Sequence, residues 1–244
     1  MSLGDGVNKP GKLKVMTYVG NPGFRRSAAL MFRYTTLNIL SLVSAISLSA
    51  DPFAGLIVSL ISAVAVNSLP DIVQNIGPYD SRSFTEYVSW SLFHELAHAS
   101  HQQATGNDIW DLWWGDYVTM LVSGMQYNKN SEIMSLVESW GFFYGNLLSD
   151  RKFGSSSLYN YYSKLEWYKN NILNEGIFYD LMDGYSVEET WDNINGVSIN
   201  SSYAPLKDRT IKSLKNYYNK FMVNNPAYSA SDLKVIFNNN GINL

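Results

Sequence analysis

The chain has 244 residues, 46 % of them hydrophobic and 14 % aromatic, which is enough for a sizeable core and too apolar for wholesale disorder. Its 18 basic and 21 acidic residues leave a formal charge of −3, with no charge run long enough to track a phosphate backbone, which argues against a nucleic-acid binder. Cysteine is absent, removing disulfides, thiolate catalysis and Cys-ligated zinc, while all three histidines fall within residues 94–101.

Residues 1–11 lack the basic start and apolar run of a signal peptide and read as a flexible lead-in or expression scar, the native targeting segment or anchor having been removed. Lys12–Tyr18 alternates like a short strand and ends at the Asn21-Pro22-Gly23 turn. Ala28–Leu48 and Phe53–Val66 read as helices. Asp51 is the only charge between Ile39 and Val66, so the stretch is long enough for a membrane span. Asp51-Pro52 near its middle and six interrupting serines favour two packed helices instead, the second capped by Asp51. Asp71–Ile76 is a β-branched run closed by Gly77-Pro78, a second strand. Ser83-Phe84-Thr85-Glu86 is a capping box, predicting a helix from Phe84 to about Gln103 that stops before Gly106.

Thr105–Gly115, rich in Trp and Asp, reads as a loop, and its tryptophans as a hydrophobic lid, with a specificity wall as the alternative. A helix opens at Ser131 and runs to about Ser149, and Gly154-Ser155-Ser156-Ser157 separates it from an Asn- and Tyr-rich remainder. Helical patches are predicted at Leu158–Asn174, Val187–Ile194, Pro205–Val223 and Asp232–Asn238. Ile177–Asp183 either lines a cleft or packs as a helix. The whole is α+β and mainly α, with a small N-terminal sheet. An N-terminal lobe (residues 12–106) carries the histidine helix, and a helical C-terminal lobe (residues 107–244) follows.

The chemistry concentrates in His94-Glu95-Leu96-Ala97-His98, an H-E-x-x-H. Four residues advance about 400° around a helix and about 6 Å along it, so both imidazoles project from one face and can reach one Zn²⁺. Glu95 lies beside that face, placed to act as general base without ligating. Two histidines leave a tetrahedral site one protein ligand short. His101 lies seven residues beyond His94, about 10.5 Å along the axis, out of reach of an ion held there. It reads as a cleft residue or a hydrogen-bonding partner one shell out.

With no further histidine, the third ligand should be a carboxylate, and Glu138 is the first choice. It shares a helical stripe with Met134, Gly141 and Gly145, and glycines on that face suggest close packing. Glu132 is the rival on the same helix, in a first turn where it simply complements the helix dipole. Asp108, Asp111 and Asp116 are rivals from the segment expected to be a loop.

These residues resemble a zincin metallopeptidase of the gluzincin kind, the thermolysin-like clan: His94-Glu95-x-x-His98 on one helix and Glu138-Ser139-Trp140-Gly141 on a later one. The resemblance spans about sixty residues, from Ser83 to Leu148. It implies one Zn²⁺ on His94, His98 and Glu138, and a peptide or protein substrate aligned along a strand edge such as Asp71–Ile76. It also implies hydrolysis by zinc-activated water with Glu95 as base. His101, Tyr144, Tyr179 and Tyr185 are the candidates for cleft or transition-state donors. The expected location is secreted, cell-surface or periplasmic in a bacterium. Two alternatives stand beside the enzyme: a catalytically silent zincin fold serving as a binding module, and a membrane-associated zinc protein using residues 39–66.

Overall fold

The helix that carries all three histidines, α1, runs Phe84–Thr105, close to the predicted span. It stops where Gly106 adopts a left-handed φ of 74° and returns its N–H to the Gln102 carbonyl at 2.8 Å, a termination that a side chain would strain. The computed structural model describes residues 15–18, 28–29, 72–75, 84–122, 131–154, 174, 176–184 and 189–244. The expected helices across residues 30–66 and 158–173 lie outside them, as does Tyr185.

The chain divides into two units, one ending at Glu95 and the other beginning at Leu96, and α1 runs unbroken through the boundary. In the first unit, β1 (Val15–Tyr18), β2 (Ala28–Ala29) and β3 (Ile72–Asn75) are ordered β1-β3-β2. β1 pairs with β3 in parallel, Val15 opposite Ile72, and β2 pairs with it antiparallel, Ala28 opposite Val73. The helix expected to begin at Ala28 is therefore corrected at its first two residues. Alanine's helix preference is a weak prior, and pairing to the β-branched edge of β3 overrides it.

From Phe84 onward the described elements are all helical. After α1 come α2 (Asn107–Val122), α3 (Glu132–Phe153), α4 (Gly176–Asp183), α5 (Ile199–Tyr203), a 3₁₀ turn over Ala204–Lys207, α6 (Leu214–Asn224) and α7 (Ala230–Asn239). The expected loop at Thr105–Gly115 is wrong: α2 starts one residue after Gly106. Ile109, Trp110 and Trp113 are buried at helical spacing while Asp108, Asp111 and Leu112 face out, so the segment is amphipathic.

Two further expectations change. The helical patch at Val187–Ile194 is irregular over its described residues, because the Asp192 carboxylate accepts the Ile194 N–H at 2.9 Å and fixes a turn. The single helix expected over Pro205–Val223 is split. Asp208 accepts both the N–H and the hydroxyl of Thr210 at 3.0 and 2.7 Å, and Ser213 then caps α6 anew through the Asn216 N–H.

The core of the second unit is a chain of rings. Trp140 of α3 stacks on Tyr144 at 5.2 Å and on Tyr203 at 5.3 Å, and meets Phe178 edge-on at 5.4 Å. Phe178 passes the contact to Tyr217, which lies over Phe221 and Phe237. Each such pair contributes about 0.5–1.5 kcal/mol beyond area burial.

A polar seam crosses this core. Ser139 accepts the Asn174 N–H at 2.7 Å, Asn174 donates to the Asn240 carbonyl at 2.6 Å, and Asn240 donates to Asp180 at 2.6 Å. A Cβ at position 176 would run into the Asn240 side chain, so Gly176 is part of the same clamp.

Burial raises the Asp180 carboxyl well above the usual carboxylate range, the Asn240 amide opposes that shift, and Glu189, Asp183 and Asp192 add to it. Its folded-state value exceeds the unfolded value of about 3.9. Its contribution to stability is therefore intact below that unfolded value and is lost as pH rises through the folded one. Asp180→Asn keeps an acceptor for Asn240 and removes the titration. Melting curves at pH 5 and pH 8 should show the variant gaining on the wild type at the higher pH; an equal gap at both would contradict this account.

Candidate metal centre

His94 and His98 lie one turn apart on α1, both buried, with side chains 8 % and 3 % exposed as residues. Glu95 between them is buried as well. The third member arrives from α3. Ser131 caps that helix by accepting the Met134 N–H at 3.1 Å, and Glu138 follows two turns later, one turn beyond the buried Met134.

The ligand atoms of His94, His98 and Glu138 all lie within 4.8 Å of one another, and among the described residues they are the group able to hold a metal ion. His98 Nε2 and Glu138 Oε2 are 3.6 Å apart. That is long for a hydrogen bond. It is close to the edge of a tetrahedron of ligands, about 3.4 Å for bonds of 2.0–2.1 Å to zinc. Two imidazoles and a carboxylate are also a donor set that zinc accepts. The donors therefore fit a metal of that size and chemistry.

The rivals are placed elsewhere. Glu132, Asp108 and Asp111 are exposed, and Asp116 accepts the Ser131 hydroxyl. The three aspartates, expected on a loop, sit on α2, and exposure and prior engagement set them aside. Gly141 and Gly145, expected on the Glu138 face, are both buried.

His101 is not part of the ligand group. It is fully buried against the edge of Trp110 at 5.9 Å, and burial, with His98 adding, holds its imidazole down at about 3. Tyr144 and Tyr179 are buried in the ring core, against Trp140 and Phe143 respectively.

Several contacts escaped the sequence reading. Trp113 Nε1 donates to Glu138 Oε1 at 3.1 Å, and both Trp110 and Trp113 lie against the His98 ring, at 5.6 and 6.4 Å. The Trp110/Trp113 spacing would have found them, had it been read as a helix face. Tyr203 donates to the Ser100 carbonyl at 3.0 Å and shares a hydrogen bond with the Ser100 hydroxyl, fixing α5 to the histidine helix. No sequence signal pairs residues 103 positions apart.

Comparison of the chain with protein-family models, curated proteins and solved structures finds no match. The site therefore stands on its own geometry: a His-His-Glu group with H-E-x-x-H spacing that could hold a metal ion.

Because Tyr203 is wholly buried and holds Ser100 by two contacts, Tyr203→Phe removes both hydrogen bonds that fasten α5 to α1. The expected loss is about 1–3 kcal/mol in urea denaturation; a loss below about 0.5 kcal/mol would show that the hydroxyl does not fasten this helix.

Proposed function

We propose that the chain is a zinc-dependent peptidase of zincin-like, gluzincin type, with His94, His98 and Glu138 as ligands and Glu95 as general base. The observation that carries the reading is the arrival of Glu138 Oε2 at 3.6 Å from His98 Nε2, which completes from a distant helix what H-E-x-x-H begins. Zinc held there supplies Lewis acidity toward a carbonyl and makes a water nucleophilic at neutral pH. The two imidazoles are held one turn apart by α1, and their neutral form is the ligating one. Glu95, next in sequence to His94, takes the proton of the attacking water and returns it to the leaving amine. The tryptophans and the buried surround of His98 keep bulk water from the ligands, which strengthens the electrostatics among them. The substrate we assign is a peptide or protein.

Zinc stoichiometry and casein cleavage test this in the wild type, Glu95→Gln and Glu138→Ala. Glu95→Gln should keep its metal and lose activity by about 10²-fold or more. Glu138→Ala should lose zinc affinity. A Glu138→Ala variant that holds zinc as tightly as the wild type overturns the ligand set. A wild type that holds zinc and cleaves no peptide overturns the peptidase reading and favours a silent binding module.

A further inference from the structure

We infer that Trp113 is a positioning residue for the metal site: its indole N–H claims one oxygen of Glu138 and leaves the other as the single ligand atom. The inference rests on the metal reading above and adds a statement about how Glu138 would bind. Trp113 Nε1 donates to Oε1 at 3.1 Å, while Oε2 is the oxygen that faces His98 Nε2. The two carboxylate oxygens thus have different partners. A hydrogen bond to an ionised carboxylate is stronger than one between neutral groups, so the division of labour resists rotation of the carboxylate. An indole is a donor only, so it cannot compete for the ion. Held so, Glu138 would offer a metal ion one oxygen, and a tetrahedral ion on three protein ligands would keep a position for water or substrate.

Trp110 provides a matched control. It sits three residues earlier on α2, is as deeply buried and touches the same His98 ring at 5.6 Å, but its N–H has no hydrogen-bond partner among the described residues. Packing against His98 is common to both tryptophans, whereas the bond to Glu138 belongs to Trp113.

The test measures zinc affinity by chelator competition, and the visible spectrum of the Co²⁺-loaded protein, for the wild type, Trp113→Phe, Trp110→Phe and Glu138→Ala. Trp113→Phe should weaken zinc about 10- to 100-fold, the usual effect of losing a partner behind a ligand, and lower the Co²⁺ band intensity as Glu138 adds its second oxygen. Trp110→Phe should stay close to the wild type. In a Glu138→Ala background, Trp113→Phe should cost nothing further.

Equal losses in the two tryptophan variants, or the same loss with and without Glu138, would reduce Trp113 to packing and overturn the inference. Should Trp113→Phe fail to fold, the indole N–H resonances of ¹⁵N-labelled wild type and Glu138→Ala carry the test: one of the seven should move strongly, and none moving overturns it. A wild type that does not bind zinc, or a Glu138→Ala that binds it fully, refutes the metal reading itself. Tight zinc lost only on removing Glu138 and untouched in Trp113→Phe refutes this inference alone.

Discussion

A pair of imidazoles one turn apart is half a site, and everything else depends on where the third ligand is held. The distance between His98 Nε2 and Glu138 Oε2, 3.6 Å, is set by how two helices are held. On one side, α1 must continue without a kink past His98, and Gly106 ends it only after the last histidine has been placed. On the other, α3 must be anchored at its start so that Glu138 falls at the right height. Its register is fixed by the Ser131 cap at one end and by the buried face of Trp140, Phe143 and Tyr144 further along.

The aromatic core carries this constraint through the second unit. Trp140 is two residues from Glu138 and touches Tyr144, Phe178 and Tyr203, so rotating α3 to move the carboxylate would break a stack of rings. Tyr203 reaches on to Ser100 of α1. The same residue therefore packs against the Glu138 helix and hydrogen-bonds the His98 helix. Rigid support of this kind is what a ligand geometry accurate to about half an ångström demands.

Much of the site could be read from the residues alone, because its rules are local. H-E-x-x-H spacing, the start of a helix at Ser131 and the Glu138 stripe all follow from helix periodicity and capping chemistry. The helices Phe84–Thr105, Glu132–Phe153 and Ala230–Asn239 follow from the same rules. What failed was composition used in place of periodicity: the Trp- and Asp-rich segment after Gly106 looked like a loop, although its buried residues recur at helical spacing. Long-range choices were out of reach altogether. Nothing local says that Ala28 and Ala29 pair with β3, that Asp208 interrupts a helix, or that Trp113 binds Glu138.

The Ser131 hydroxyl has a second attachment besides its cap. It accepts the Met134 N–H at the head of α3 and donates to Asp116 on α2, three residues after Trp113. One oxygen atom thus bolts the helix bearing the indole to the helix bearing the carboxylate. That rivet lies three residues from Trp113 on one helix and seven from Glu138 on the other, so it ties the height of the indole to that of the carboxylate.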